Sequence, residues 1–354
     1  MLTRLELENF RSYEKIGVDC GSDLVLVLGE NAAGKTNLLE AVYYLNTLES
    51  FRSPDPLVVR RGAGHFRVSG RFDDGREAEV VVQTSPVTRR GYRIDKQKTR
   101  RSDWSINPVV LFVPQDLNLF FLGPANRREF VNRILSQVNP GYRTDLSELT
   151  QVLKQKTALL EAIRDGVADR AELSFWNDRL ADISLRIYEG RSEFASFVNS
   201  RFPEVYARIT DLPGSFSLEY RHMKKTEKSE LMAHLTEHIE AEVASGTNLI
   251  GPHRDDYRLL KDGVEVIHLS SQGELRSQIL ALKLIEAAFL EGRSGRKATV
   301  LLDDVFSELD EMRRGRLMEF FAENQVFITT TEEHHLPGFK REFMVLRLSQ
   351  SLLN

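Results

Sequence analysis

Cysteine is almost absent from this sequence, since Cys20 is the only one among 354 residues. A single thiol excludes an intramolecular disulfide framework and a cysteine-based zinc site, and it is typical of a reducing compartment. The longest apolar runs, Leu24–Leu28 and Val109–Val113, fall far short of the roughly 18–20 apolar residues that a membrane helix requires. Because the N-terminus also lacks a hydrophobic signal segment, we expect a soluble, cytoplasmic protein with no membrane partner.

A strong charge of one sign is missing as well. The chain has 48 Lys and Arg against 52 Asp and Glu, a formal net charge of −4. The overall charge therefore gives no indication of a nucleic-acid partner. A surface that binds nucleic acid would have to be a local basic patch. Hydrophobic residues make up 41% of the chain, with only 22 Gly and 11 Pro, which predicts a folded globular protein. Its length favours two lobes, or one domain with an insertion.

Hydrophobic patterning divides the chain into two kinds of segment. Continuous apolar runs typical of buried parallel strands occur near both ends, at residues 24–28 and 300–302. Helical spacing dominates the middle, from about Asp145 to Ile187. We therefore predict an α/β fold, with one α/β lobe assembled from both ends of the chain and an inserted, mostly helical second lobe. The predicted boundaries are 1–115 and 245–354 for the α/β lobe, with a β-rich annex at 66–113, and 116–244 for the second lobe.

A phosphate-binding loop is the strongest motif. Gly29–Thr36 reads Gly-Glu-Asn-Ala-Ala-Gly-Lys-Thr and matches G-x-x-x-x-G-K-[ST] between a predicted buried strand and a predicted helix. Its backbone N–H groups would face the phosphates of ATP, Lys35 would contact the β- and γ-phosphates, and the Thr36 hydroxyl would ligate Mg²⁺. The predicted nucleotide-binding residues of this loop are Gly29, Glu30, Asn31, Ala32, Ala33, Gly34, Lys35, Thr36 and Asn37.

Two carboxylates follow the apolar run Val300–Leu302. A carboxylate at the end of a parallel strand is the expected second metal-holding group of a P-loop ATPase, and we assign Asp303 to Mg²⁺. Asp304 is then positioned to orient or deprotonate the attacking water. Many such ATPases have Glu at this position, so the shorter side chain predicts slow turnover.

Two further segments resemble motifs of ABC-type ATPases. Leu269–Arg276 is similar to the signature motif, and Ser307–Asp310 is similar to the D-loop. This resemblance implies that the α/β lobe is an ABC-type P-loop ATPase lobe with an inserted, mostly helical second lobe. The resemblance assigns Ser271 and Gly273 to the signature core, with Ser270 as the alternative register; a plain helix cap formed by Ser and the following Glu is the other reading. The resemblance also assigns Gln115 to the Q-loop contact with Mg²⁺ or water. Thr329–Thr331 occupies the place of a switch histidine, which again favours slow hydrolysis.

Several longer segments resemble the RecF family of SMC-related DNA-repair ATPases. They are Leu7–Tyr13, Phe112–Leu117 with the following Gly123-Pro124 and Arg127-Arg128, Gly251–Asp256, and Leu302–Asp310. The likeness covers both ends of the chain and is weakest over roughly residues 145–240.

The RecF resemblance implies a function in recombinational repair. A protein of this kind binds DNA in an ATP-dependent manner at single-strand gaps and at junctions of single- and double-stranded DNA. It acts with RecR and RecO and indirectly promotes the loading of RecA. The ABC resemblance implies a homodimer that holds two ATP molecules, each between Lys35 of one subunit and Ser271 of the other. On this reading Lys35, Ser271 and Asp304 are the catalytic residues of a weak ATPase.

A basic segment at residues 89–101 is the best candidate for DNA contact. It carries seven cations and one acid, Asp95, and such a density suits phosphate binding. A solvated hairpin whose charges protect an exposed strand is the alternative. The seven residues are Arg89, Arg90, Arg93, Lys96, Lys98, Arg100 and Arg101.

Two other questions stay open at this stage. His253 can contact the nucleotide, couple the site to the second lobe, or serve a purely structural hydrogen bond. The function has two rivals, a nucleotide-binding subunit of an ABC transporter and a small-molecule P-loop kinase. ATP-dependent change in DNA affinity distinguishes both from a repair protein.

Overall fold

The computed structural model describes residues 1–223, 227–331 and 343–349. Within it the chain separates into two compact units. The first unit comprises Met1–Leu117, Arg208–Thr210 and Arg276–Asn354, and the second unit comprises Asn118–Ala207 and Asp211–Leu275.

The chain begins with eight strands and one helix, all in the first unit. In chain order these are β1 (Leu2–Phe10), β2 (Tyr13–Asp19), β3 (Leu24–Leu28), α1 (Lys35–Thr47), β4 (His65–Phe72), β5 (Glu77–Gln83), β6 (Arg89–Ile94), β7 (Gln97–Thr99) and β8 (Val109–Phe112).

The middle of the chain is mostly helical. It contains α2 (Pro124–Val138), α3 (Pro140–Arg164), α4 (Leu173–Thr210), β9 (Phe216–Arg221), α5 (Lys228–Glu237), α6 (Ile239–Ser245), β10 (Asp256–Lys261), β11 (Val264–Glu265) and α7 (Val266–Leu269). The last described elements are α8 (Gln272–Ser294), β12 (Thr299–Asp303), α9 (Glu311–Phe320), β13 (Gln325–Thr330) and β14 (Met344–Arg347). Among the described residues, no helix combines the length and apolar character needed to cross a membrane.

A five-stranded parallel sheet lies at the centre of the first unit, in the order β14-β3-β13-β12-β8. Every residue of β3, β8, β12 and β13 is buried. Burial on both faces explains why these strands read as continuous apolar runs rather than alternating ones. Because the strands are parallel, their carboxyl ends lie at one edge of the sheet, where α/β proteins bind ligands.

The second sheet of the first unit is antiparallel, in the order β2-β1-β4-β5-β6-β7. Burial alternates along β4 and β5, so one face of the sheet is buried. The buried side chains of that face belong to one core cluster with α1, including Phe10, Tyr44 and Phe66, whose rings pack edge to face. The opposite edge of the sheet, formed by β6 and β7, is largely exposed.

Two predicted boundaries differ from the observed ones. The β-rich annex was expected to end with Val109–Val113, but β8 pairs with β12 and belongs to the parallel sheet, because its four residues are buried on both faces. Residues 245–275 also belong to the second unit rather than to the ATPase lobe. The reason is that β10 pairs with β9 and β11 in a separate three-stranded sheet.

Candidate active site

The glycine-rich loop connects β3 to α1, as the motif predicts. Gly34 caps α1 with φ +93°, a left-handed conformation that glycine adopts without a steric penalty. At Gly29 a side chain is excluded by space, because a Cβ there would lie 2.7 Å from the carbonyl oxygen of Leu348. No acidic side chain lies in the first turn of α1, and no side chain caps it. The N–H groups and positive dipole end of this helix therefore present a site for an anion.

Lys35 lies over the loop that precedes it. Its Nζ donates to the carbonyl oxygens of Gly29 at 2.6 Å and Glu30 at 2.9 Å. Burial lowers the pKa of this ammonium group, while the charges of Asp304 and Asp303 act in the opposite direction and favour the protonated form. The cation is thus held between the loop and the two carboxylates at the end of β12.

Asp303, at the end of β12, contacts the phosphate-binding loop. Its Oδ1 accepts hydrogen bonds from the Thr36 hydroxyl at 3.0 Å and the Thr329 hydroxyl at 2.8 Å. Asp303 and Thr329 are paired in register on the neighbouring strands β12 and β13. Residues 267 positions apart in sequence are therefore in direct contact, and their oxygens are of the kind that Mg²⁺ prefers as ligands. Sequence reasoning considered Thr329 only as a missing histidine and missed its contact with Asp303.

Asp304 differs from its neighbour in both burial and backbone. Its side chain is exposed, whereas Asp303 is buried. Its φ is +54°, and its N–H donates to the Thr329 hydroxyl at 2.9 Å. The Asp304 carboxylate, on this left-handed turn at the end of β12, is therefore accessible to solvent.

Gln115 lies in a short 3₁₀ turn, Pro114–Asn118, directly after β8. Its side chain is exposed, and the turn is held by its neighbour Asp116, which is buried. The Asp116 carboxylate accepts from the Val113 N–H at 3.1 Å and pairs with Lys283 of α8 at 3.1 Å. Lys283 also donates to the Leu111 carbonyl oxygen at 2.6 Å. Gln115 is therefore at the same sheet edge as Asp303, on a turn fixed by a buried ion pair.

Ser271 and Gly273 lie in the second unit, at the start of α8. The Ser271 N–H and hydroxyl donate to the Glu274 carboxylate at 2.9 and 3.0 Å, and the Glu274 N–H donates back to the Ser271 hydroxyl at 3.3 Å. These bonds form a capping box. They and the Lys261 ammonium at 2.9 Å lower the pKa of Glu274 to about 2, with the Ser271 N–H as the largest cause. Ser271 and Glu274 thus cap α8, and the assignment of Ser271 and Gly273 to the signature core, with Ser270 as the alternative register, stays a prediction.

The segment Leu7–Tyr13 supports the loop through three consecutive side chains. Arg11 donates through Nε to the fully buried Glu40 of α1 at 2.9 Å. The Ser12 hydroxyl accepts from the Asn37 amide at 2.9 Å, and the Tyr13 hydroxyl donates to the Gly34 carbonyl oxygen at 3.0 Å. Sequence reasoning missed these roles, although three polar or aromatic residues following an apolar strand were visible. The turn between β1 and β2 thereby positions the first turns of α1.

The basic segment forms the exposed edge of the antiparallel sheet, on β6, β7 and the residues beside them. Three of its seven cations are in ion pairs. Arg90 pairs with the buried Asp55 at 2.6 Å, Arg93 pairs with Glu79, and Arg101 pairs with Glu49. In the part of the chain that the structure describes, the other four are exposed and make no ion pair: Arg89, Lys96, Lys98 and Arg100.

The segment Gly251–Asp256 belongs to the core of the second unit. His253 lies 3.0 Å from the Asn248 carbonyl oxygen through Nε2, and burial lowers its pKa. Asp255 pairs at 2.6 Å with Arg191 of α4, and each side chain is 2% exposed. Of the three roles considered for His253, the structure shows the structural one, a hydrogen bond to the Asn248 carbonyl oxygen.

The chain is similar in sequence to RecF proteins over almost its whole length. Residues 1–351 match the profile of the RecF/RecN/SMC N terminal domain. The chain is 39% identical over 342 residues to the DNA replication and repair protein RecF of Moorella thermoacetica, with 95% of this chain and 91% of that protein covered. It is 33% identical over 359 residues to the protein of the same name from Staphylococcus carnosus, covering 97% and 95% of the two chains.

Solved structures give the same result. The recombination mediator protein RecF with ATPrS, of the RecFOR pathway, matches with a TM-score of 0.90 and 25% identity over 99% of this chain and 96% of that chain. The corresponding structure with ATP matches with a TM-score of 0.87 and 26% identity over 99% and 95%. An Smc head bound to the C-winged helix domain of ScpA, at 16% identity and a TM-score of 0.51, is similar in fold, covering 94% and 90%. The predicted α/β fold of an ABC-type ATPase is therefore confirmed.

Proposed function

The chain belongs to the RecF family of DNA replication and repair proteins, and on this basis we propose that it is an ATP-dependent DNA-binding protein of recombinational repair. It acts at single-strand gaps and at junctions of single- and double-stranded DNA, together with RecR and RecO, and thereby promotes the loading of RecA. A cytoplasmic location stays a prediction from the sequence. No feature of the described residues favours a transporter subunit or a small-molecule kinase.

The observation that carries the ATPase proposal is the contact of Thr36 with Asp303 at 3.0 Å beside the open N-terminus of α1. An anion-binding helix end and a pair of oxygen ligands at one sheet edge fit a nucleotide and its Mg²⁺. Thr36 and Asp303 would hold the ion, with Gln115 as a further ligand. When bound, the ion would supply positive charge that compensates the charge of the nucleotide's phosphates.

The protein's own groups divide the remaining work. Lys35 donates to phosphate oxygens once its Nζ turns from the loop carbonyls, and the loop N–H groups hold the phosphates in place. Asp304 orients the attacking water and accepts its proton at a carboxylate oxygen. Thr329 fixes Asp303 by its hydroxyl. The shorter acid at position 304 and a threonine at 329 support slow turnover.

The homodimer is the second part of the proposal. The signature segment around Ser271 would face the γ-phosphate bound by Lys35 of the partner, so that ATP joins two subunits and hydrolysis separates them. The capping box orders the start of α8, but it also places the Glu274 carboxylate on the Ser271 N–H and hydroxyl, so a γ-phosphate that contacts Ser271 must displace that carboxylate.

DNA contact is assigned to the exposed hairpin edge. Arg89, Lys96, Lys98 and Arg100 face solvent, and cations of this kind bind backbone phosphates without reading sequence. Of the three ion-paired cations of the same segment, Arg93 pairs within the sheet, whereas Arg90 and Arg101 pair with acids outside it.

Sedimentation velocity tests the proposal on the full chain, with and without ATP and Mg²⁺ and in the presence of gapped DNA. We expect ATP to convert monomer to dimer and to strengthen DNA binding. Lys35→Met should remove both effects. Ser271→Arg should retain ATP binding by the monomer but not dimerise, because the bulky cation would lie on the trans face. ATP-independent DNA affinity, or loss of monomer ATP binding in Ser271→Arg, would contradict the proposal.

A further inference from the structure

A cluster of two histidines and one glutamate lies at the end of α5, away from all motifs discussed above. The segment reads His234-Leu235-Thr236-Glu237-His238, and helix α5 ends at Glu237. Side chains three and four positions apart lie on the same face of a helix. One potential ligand atom from each of His234, Glu237 and His238 lies within 4.8 Å of the others.

Two buried leucines fix the orientation of this helix. Leu231 and Leu235 are fully buried. With about 3.6 residues per turn, the stripe of His234 and His238 lies beside that of the leucines, so both histidines are partly accessible, and Glu237, farther round the helix, is exposed. The leucines therefore anchor α5, and the neighbouring stripe carries the metal-binding groups.

One hydrogen bond prepares a histidine for coordination. The Nδ1 of His238 lies 2.9 Å from the carbonyl oxygen of His234. A carbonyl oxygen only accepts, so Nδ1 carries the proton and Nε2 keeps its lone pair. A histidine that ligates a metal usually donates its other N–H to a carbonyl or carboxylate in this way. The Glu237 carboxylate lies 3.4 Å from Nδ1 of His234, and the two imidazole centroids are 4.2 Å apart.

We propose that His234, Glu237 and His238 bind one divalent ion of the zinc class. Two imidazole nitrogens and one carboxylate oxygen suit Zn²⁺, Ni²⁺ or Cu²⁺, whereas Mg²⁺ prefers an all-oxygen shell. Metal–ligand distances of about 2.0–2.1 Å would place the three donor atoms about 3.3 Å from one another. Rotation of accessible side chains is enough to reach that separation from the observed arrangement. Water, or a ligand from another molecule, completes the coordination.

Such an ion would connect the last turn of α5 to the point where α6 begins. His238 is both the residue after α5 and the residue before α6. Binding at this junction joins the two helices through side chains as well as through the chain. Because the folded protein alone provides the three ligands in this arrangement, the ion should raise the temperature of unfolding.

Isothermal titration of the full chain with ZnCl₂, in chelator-free buffer containing excess Mg²⁺, tests the site without nucleotide or DNA. We expect one Zn²⁺ per chain at this site and at least about tenfold weaker binding in His234→Gln and in His238→Gln. Glu237→Gln should lose less, since both imidazoles remain. His268→Gln removes an exposed histidine of α7 and serves as the matched control, with binding unchanged.

Thermal unfolding with and without Zn²⁺ provides a second readout. We expect Zn²⁺ to raise the unfolding temperature of the wild type and of His268→Gln but not that of His238→Gln. Equal affinity and stoichiometry in both histidine variants, or displacement of Zn²⁺ by Mg²⁺, would overturn the site. Either result leaves the ATP and DNA proposals unaffected, because neither ligand is present.

Discussion

The chain contains two adjacent pairs of aspartates that look alike in sequence and differ in surroundings. Asp255 accepts from the guanidinium of Arg191 and from the Tyr220 hydroxyl, and Asp256 pairs with Arg127 through two bonds of 2.7 and 3.0 Å. In the other pair, Asp303 accepts from two hydroxyls and Asp304 is exposed.

These surroundings decide which carboxylates remain able to bind a cation. Burial raises the pKa of Asp255 to about 6, and the Arg191 charge acts against that rise. The buried Arg191 guanidinium compensates the charge of Asp255, so this carboxylate needs no added cation. Asp303 accepts its hydrogen bonds from hydroxyls and has the Lys35 ammonium near it, but it forms no buried guanidinium pair like that of Asp255. The first pair therefore serves the packing of the second unit, and the second pair is the one for which we propose a catalytic role.

The largest effect should follow from breaking the buried pair. Arg191→Met leaves Asp255 without its guanidinium partner in the core of the second unit. We expect a loss of about 3–5 kcal/mol in the free energy of unfolding, measured by urea denaturation. Arg186→Met is the control, because the Arg186 pair with Asp145 is half-exposed and should contribute about 0–1 kcal/mol. A similar loss in both variants would show that burial does not decide the strength of these pairs.

The next effect concerns turnover. Asp304→Asn removes the group that we propose accepts the proton from water, and ATP hydrolysis should fall by about 100-fold or more. The variant should accumulate as an ATP-bound dimer that stays on DNA longer than the wild type, as measured by dissociation after dilution. Asp256→Asn is the matched change in the structural pair and should lower stability with turnover per folded protein preserved. Weaker ATP-driven dimerisation of Asp304→Asn would contradict its assignment to hydrolysis.

A smaller effect is expected at Lys35, the lysine proposed to bind phosphate. Lys35→Met removes the ammonium that lies over the loop, and ATP affinity or hydrolysis should weaken about tenfold or more, about 1.4 kcal/mol. Nucleotide titration followed by an ATPase assay measures both. Lys15→Met, an exposed position of β2, should change neither. Unchanged binding and turnover in Lys35→Met would remove the loop from the mechanism.

The smallest effect per residue should be on DNA binding, where charges act through solvent. Replacing Arg89, Lys96 and Lys98 with Gln should lower the log–log salt slope of binding to duplex DNA by about 0.9 for each phosphate that the protein no longer neutralises. Sequence preference and ATP binding should stay the same. Arg93→Gln is the comparison variant that distinguishes DNA contact from a structural role. It breaks the pair with Glu79 and should change the free energy of unfolding more than the salt slope of DNA binding. An unchanged slope in the triple variant would leave the segment as a protected strand edge.

The local sequence pattern was enough to predict the phosphate-binding loop and several strands of the parallel sheet. The glycine spacing, the need of a strand-to-helix turn for left-handed backbone, and the apolar run of β3 place the phosphate loop without any other information. The all-buried runs of β12 and β13 likewise indicate parallel strands, because burial on both faces requires apolar residues at successive positions. These features depend on residues close together in sequence.

Tertiary structure alone decided which polar groups meet. The contact of Thr329 with Asp303 and the pair of Arg93 with Glu79 depend on which strands are neighbours. The contact of Arg11 with Glu40 depends on how α1 packs against the turn after β1. The two aspartate pairs were equally acidic in sequence, and only the packing of α4 against the segment at residue 255 gave one of them a guanidinium partner. Charge compensation is a property of distance in space, and strand order and helix packing set those distances.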